Sequence, residues 1–114
     1  MALYQTLPVY RDTYQMLMTL FRITGHFPRE YKFTLGQDLK RDSMQLVRHI
    51  FRANADKDNR SRHLQSFADD FELVRLQMRL GFDLKLISHK QFADITERMD
   101  NIGRQITGWR RSAN

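Results

Sequence analysis

The sequence predicts an all-α protein, an antiparallel up-and-down four-helix bundle. Three observations lead there. Phe92, Ile95, Met99, Ile102, Ile106 and Trp109 recur at gaps of 3, 4, 3, 4 and 3, the apolar seam of a helix packed along its length. The only two prolines, Pro8 and Pro28, each stand where an apolar helical pattern begins, and proline is favoured in the first turn of a helix. Alternating apolar and polar runs bounded by hairpin turns, which would signal strands, are absent.

The first helix is expected over residues 8–24, with Val9, Tyr10, Tyr14, Leu17, Leu20 and Phe21 at helical spacing. Gly25 suits its C-terminal cap, since glycine enters the left-handed conformation without steric cost. Pro28 opens a second helix expected to run to about residue 53, with Tyr31, Leu35, Leu39, Leu46, Val47, Ile50 and Phe51 in phase. Gly36 falls inside it, where a glycine costs about 1 kcal/mol relative to alanine. Gly81 and Gly103 interrupt the later helices in the same way, and a close approach between helices or subunits would offset that cost.

"NADKDNRS", residues 54–61, is polar and rich in turn formers, a loop. A third helix follows over about residues 61–86. Leu64, Phe67, Phe71, Val74 and Met78 mark one face, and Leu73, Leu76, Leu80 and Leu84 lie around a second. One face meets the bundle core, so the second needs another partner, and a contact between subunits is expected there. "SHKQ", residues 88–91, has the spacing of a capping box and starts the fourth helix.

A chain of 114 residues is long enough for one core and too short for two, so one domain, residues 1–114, is expected. Cysteine is absent, which excludes disulfides and thiolate metal sites and fits a reducing cytoplasm. No stretch is apolar for long enough to span a membrane. The first eight residues lack the charged start and apolar core of a secretory signal.

Catalytic patterns are missing. The four histidines, His26, His49, His63 and His89, are scattered, and none forms a His-Glu-x-x-His pair or a Glu-x-x-His di-metal motif. Asp69, Asp70 and Glu72 are sequence neighbours, which point in different directions on a helix. No phosphate-binding glycine loop and no nucleophile elbow occurs. The protein is therefore expected to have no enzymatic activity and no cofactor or metal.

The charge is the strongest functional signal. Nineteen basic residues against thirteen acidic give a net charge of +6, and fourteen of the nineteen are arginine. Arginine favours planar, bidentate contacts with phosphate or carboxylate, and excess positive charge favours polyanions, nucleic acid foremost. Residues 28–53 hold six basic against three acidic residues, whereas residues 64–87 hold three against four. Arg41, Arg48 and Arg52 are spaced 7 and 4 apart and share one helical face. Arg75 and Arg79 are one turn apart, and Arg104, Arg110 and Arg111 belong to the fourth helix, whose last fourteen residues contain no acid. These eight arginines are the candidate binding residues. Few aromatics lie among them, which suits phosphate contact better than base stacking.

Read together, "LPVYRDTYQML" from Leu7, "FPREYKFTLGQDLKRD" over residues 27–42 and "IGRQITGWRR" ending at Arg111 resemble small bacterial four-helix-bundle proteins. That group includes proteins encoded in intervening sequences of large-subunit ribosomal RNA genes. It also includes the accessory variability determinants of diversity-generating retroelements, which are the closer match. The resemblance covers nearly the whole chain.

It implies a bacterial or phage-encoded accessory protein, not an enzyme. It further implies a homopentameric basic barrel that associates with the retroelement's reverse transcriptase and with RNA, and possibly DNA, during error-prone copying of the template repeat. Arg75 and Arg79 resemble the family's paired arginines on the third helix. Gly103, Arg104 and Trp109 resemble its glycine–arginine followed five positions later by tryptophan. A stand-alone nucleic-acid-binding or ribosome-associated bundle, without a polymerase partner, is the alternative. A structural oligomer whose charge only keeps it dissolved is a third.

Overall fold

The computed structural model describes residues 3–113. A single 3₁₀ turn, Tyr4–Thr6, leads into α1 (Pro8–Gly25). A short turn of helix, α2 (Arg29–Lys32), precedes α3 (Leu35–Ala55), and a second 3₁₀ turn, Lys57–Asn59, leads into α4 (Arg60–Asp83) and α5 (His89–Ala113). Among the described residues there are no strands. The four long helices pack in a closed square, α1 on α3, α3 on α4, α4 on α5 and α5 back on α1. The bundle is elongated, 43 × 23 × 22 Å.

Cross-helix pairs fix the antiparallel register. His49 and Asp42 on α3 meet Asp70 and Gln77 on α4, so numbers rise on one helix as they fall on the other. Arg75 and Gln65 on α4 meet Asp100 and Arg110 on α5 in the same sense. Between α1 and α5, Asp12 accepts hydrogen bonds from Asn101 and Gln105.

The core is a single cluster. Leu64, Phe67, Phe71, Val74 and Met78 of α4 are buried, as are Ile95, Met99, Ile102 and Ile106 of α5. Both sets are the faces expected from the sequence, and Phe92 and Trp109 pack against the cluster from its edge. Leu73, Leu76, Leu80 and Leu84 lie outside it and are exposed. On α1 the expected face is rotated. The buried residues are Val9, Thr13, Met16, Leu20, Ile23 and Thr24, while Tyr14 and Phe21 face solvent and Tyr10 and Leu17 are only half-buried. Phe51 of α3, expected in the core, is also exposed.

The expected second helix is broken. α2 stops at Lys32, and Thr34 leaves helical geometry with φ −117° and ψ −96° before α3 begins. The break lets Phe27 fold under the start of α3 and become buried. Gly36 therefore stands in a first turn, not in mid-helix. A Cβ there would lie 3.3 Å from the Phe27 ring and 3.3 Å from the Tyr31 carbonyl oxygen, closer than nearly all packed atoms, so the close approach that glycine permits is within the chain.

Helix ends differ from expectation in one further respect. Gly25 is the last residue of α1 and is not left-handed. The one positive φ among the described residues is at Lys85, 63°. Lys85 donates its N–H to Phe82 and Leu86 donates to Gly81, the paired bonds of a Schellman cap, so α4 ends at Asp83 and not at Leu86. The capping box is present as read: Ser88 and Gln91 exchange backbone-to-side-chain hydrogen bonds of 3.0 and 3.1 Å.

Candidate functional site

The eight candidate arginines fall into two groups. Arg75, Arg104, Arg110 and Arg111 line one groove of about 650 Å³ between α4 and α5. Its other walls include Phe71, Glu72 and Asp100, with Gly103 and Gly108 leaving the α5 side bare. Arg79 lies one turn further along α4. It shares with Arg75 a second depression of about 500 Å³, closed by Phe92, Thr96 and Met99 of α5. The antiparallel packing of α5 on α4 brings the C-terminal arginines beside the first turns of α4, which spacing alone could not show.

Local packing orients these side chains. Arg75 lies 5.3 Å from the centre of the Phe71 ring, a cation–π contact. It donates to Asp100 across the groove at 3.2 Å and sits 3.8 Å from Glu72. Arg79 is held by both oxygens of Asp83, at 3.1 Å each. Arg110 donates to Gln65. Arg104 and Arg111 have no ion pair among the described residues. The groove thus holds four guanidinium groups against two carboxylates. Exposed pairs of this kind contribute little to stability, about 0–1 kcal/mol each, so the acids orient Arg75 without cancelling the groove's positive charge.

Arg41, Arg48 and Arg52 are elsewhere, on the exposed side of α3. Arg41 bonds Asp42 at 3.0 Å and Asp38 at 3.2 Å. The hydrogen bond with Asp42, together with the nearby acid charges, raises the Arg41 guanidinium above its ordinary value. For Asp42, burial pushes upward most strongly, but hydrogen bonds from Arg41 and Gln77 outweigh it and the carboxyl sits below its usual range. Arg41 is thus tied to the α3–α4 seam.

Arg48 borders a different cavity, of about 500 Å³ between α1 and α3, lined by Tyr4, Tyr10, Tyr14, Leu17, Met44, Val47 and Phe51. Tyr4 packs edge-on against both Tyr10 and Phe51, with ring centres 5.3 and 5.1 Å apart. The sequence reading missed this aromatic band because it placed most of these residues in the core.

The remaining polar clusters are structural. His63 bonds Asp56 at 3.0 Å and His49 bonds Asp70 at 2.6 Å, so Asp70 spends its carboxylate on the α3–α4 contact. The His63 and Asn59 hydrogen bonds hold the Asp56 carboxyl below its usual range. Among the described residues no three potential ligands gather closely enough to hold a metal ion, and no helix is long and apolar enough to cross a membrane.

The charged groove chemically suits oxyanions: guanidinium forks that meet phosphate or carboxylate oxygens in pairs, beside two α5 positions, Gly103 and Gly108, that carry no side chain. No curated protein matches the sequence closely enough to count as a relative. The sequence model of the bAvd-like family matches residues 7–113, from the start of α1 to the end of α5; the chain belongs to that family.

Proposed function

We propose that the protein is a non-catalytic accessory factor of a diversity-generating retroelement. In this reading it binds the element's reverse transcriptase and its template RNA or cDNA, and so supports mutagenic reverse transcription. Family membership supports the accessory role. The observation that carries the binding role is the convergence of Arg75, Arg104, Arg110 and Arg111 on one groove, three of them without an ion pair among the described residues. The protein acts as a homo-oligomer, a pentamer on the family resemblance, which sets several such grooves around one assembly and multiplies weak contacts.

The test is double charge reversal, Arg104→Glu with Arg111→Glu. Both side chains are on the groove and outside the core, so the circular dichroism spectrum and melting temperature should hold. Capture of the reverse transcriptase and binding of template RNA should both fall, while Arg29→Glu, outside the groove on α2, should bind as wild type. Undiminished capture and undiminished RNA binding by the double variant would remove the groove from the function. RNA binding that is lost in the double variant, with no polymerase captured by the wild type, would favour the stand-alone nucleic-acid-binding reading.

A further inference from the structure

We propose that Asp100 is a place-holder in the α4/α5 groove: its carboxylate occupies the Arg75 guanidinium in the free protein, and a phosphate of a bound nucleic acid strand takes its place. The proposal rests on the nucleic-acid part of the reading above and assigns the regulation of that site.

The Arg75–Asp100 bond is a bridge across the trough between α4 and α5. Arg75 belongs to α4 and Asp100 to α5, and both border the groove of about 650 Å³ that also holds Arg104, Arg110 and Arg111. Each also borders a further depression. Arg75 lines the one of about 500 Å³ that reaches Arg79 and Phe92. Asp100 lines another, of about 450 Å³, with Phe92, Thr96, Glu97 and Arg104. These two depressions share Phe92 and Thr96. Release of the bridge therefore joins three recesses into one trough, with Arg79, Arg75, Arg104, Arg110 and Arg111 along it. Positive charge repeated along a line matches a strand, whose phosphates repeat along its backbone.

The bond itself is suited to exchange. It is a single contact, Arg75 Nη1 to one Asp100 oxygen at 3.2 Å, between side chains that are 36% and 53% exposed. Exposed pairs of this kind hold weakly, whereas a phosphate can meet a guanidinium through two parallel hydrogen bonds. Arg75 keeps its place when the carboxylate leaves. The centre of the Phe71 ring lies 5.3 Å from its guanidinium carbon, and Glu72 stands 3.8 Å away. Asp100 also has a second cation nearby. Arg104 is one helical turn further along α5 and makes no ion pair among the described residues. An acid four residues before a base is a favourable order on a helix, so the released carboxylate stays close to positive charge.

Binding of a fluorescein-labelled oligouridylate to the full chain, followed by anisotropy over a range of salt, tests this. Asp100→Asn removes the competing charge and keeps the shape. It should bind the oligouridylate about two- to fivefold more tightly than wild type, the size of an exposed ion pair that no longer has to break. Its slope of log affinity against log salt should steepen by up to about 1, because no freed carboxylate takes up a cation as the phosphate releases one. Asp100→Ser, which leaves no amide oxygen to re-form the bridge, should behave alike. Asp94→Asn removes the same charge from α5 outside the trough, where Asp94 pairs with Arg98 at 3.3 Å, and should leave the slope unchanged. Arg75→Gln added to Asp100→Asn should remove the gain.

Weaker binding by both Asp100 variants, or binding equal to that of Asp94→Asn, would overturn the place-holder. A gain for polyglutamate without one for the oligouridylate would overturn phosphate as the ligand. A wild type that does not bind the oligouridylate, with Asp100→Asn equally inert, would overturn the nucleic-acid reading as well. Binding that is lost in Arg104→Glu with Arg111→Glu but indifferent to Asp100 would overturn the place-holder alone.

Discussion

The grooves on the α1/α3 and α4/α5 sides of the bundle are built alike and filled differently. Each is a gap between antiparallel helices of comparable length. The α4/α5 groove is walled by four arginines, two carboxylates and two glycines over a floor that includes Phe67 and Phe71; the α1/α3 groove is walled by three tyrosines, a phenylalanine, Leu17, Met44 and Val47, with Arg48 its one charged residue. Contacts in the first are charge-assisted, so they are salt-sensitive and reversible. Contacts in the second depend on removing apolar area from water, about 25 cal/mol per Å², and salt does not screen them. The difference gives one small scaffold two chemically distinct surfaces, one suited to charged groups and one to apolar ones.

The sharpest way to break this comparison is to show that the aromatic band belongs to the core. Leu20 is fully buried on α1 and Tyr14 is 47% exposed. Leu20→Ala should destabilise the fold by about 2–5 kcal/mol in chemical denaturation. Tyr14→Ala should stay within about 1 kcal/mol of wild type, as partly exposed positions do. Comparable losses for the two would return Tyr14 to the core and dissolve the distinction between the grooves.

Salt sharpens the comparison from the other side. Each guanidinium that contacts a phosphate adds about 1 to the slope of log affinity against log salt. Arg104→Ala and Arg111→Ala should each lower that slope by about 1 for RNA binding, and Arg29→Ala should leave it unchanged. Assembly of the wild-type chain should persist at salt concentrations that release RNA. Slopes that ignore the groove variants would deny it any phosphate contact.

The two sides also differ in how well the sequence foretold them. On α4 and α5 the core face is one unbroken series, Leu64 to Met78 and Ile95 to Ile106, and the phase could be read directly. On α1 two arcs satisfy the same helical spacing. The buried arc contains Thr13 and Met16 beside Val9 and Leu20, whereas on the outer arc Tyr14 and Phe21 are exposed and Tyr10 and Leu17 half-buried. Periodicity without knowledge of neighbours mixes the two: of the residues it selects, Val9 and Leu20 are buried, whereas Tyr14 and Phe21 are exposed.

The break at Thr34 was hidden for a related reason. No glycine or proline stands at the break; it goes with the packing of Phe27 against Gly36, a contact between residues nine apart that helical spacing does not reveal. The arginines of the candidate site were visible as charge. Their division between α3 and the α4/α5 groove was not, because inter-helix register decides it.

Glycines on the two sides should respond in opposite directions. At Gly36 an added methyl group meets a ring and a backbone oxygen at 3.3 Å, and overpacking of this kind costs about 1–3 kcal/mol. At Gly103 the nearest atom is Phe71 Cε2 at 3.7 Å, ordinary contact, and at Gly108 nothing lies within 4 Å. Gly36→Ala should lower the melting temperature. Gly103→Ala and Gly108→Ala should raise it, each by the equivalent of about 1 kcal/mol of helix propensity. Weaker partner binding by the two stabilised variants would show that a partner uses the bare surface of α5. A stabilised Gly36→Ala would mean that Phe27 moves aside at little cost.

The smallest expected effect lies at the turn that sets the α4/α5 groove. Lys85 holds the left-handed position of the Schellman cap, with φ at 63°, and its side chain is exposed. A residue with a Cβ gives up about 1–2 kcal/mol in that conformation. Glycine does not, but its unfolded chain is freer by about 0.5–1 kcal/mol. The difference leaves Lys85→Gly more stable by about 0.5–1 kcal/mol. Lys85→Val should be less stable than wild type, since a β-branched side chain fits positive φ worst. Neither change touches an arginine of the groove, so RNA affinity and its salt slope should be unaltered in Lys85→Gly. A lower melting temperature for Lys85→Gly would show that the lysine side chain contributes more than its backbone strain costs. A changed salt slope would show that this turn, through the register of α5 on α4, governs the spacing of the arginines.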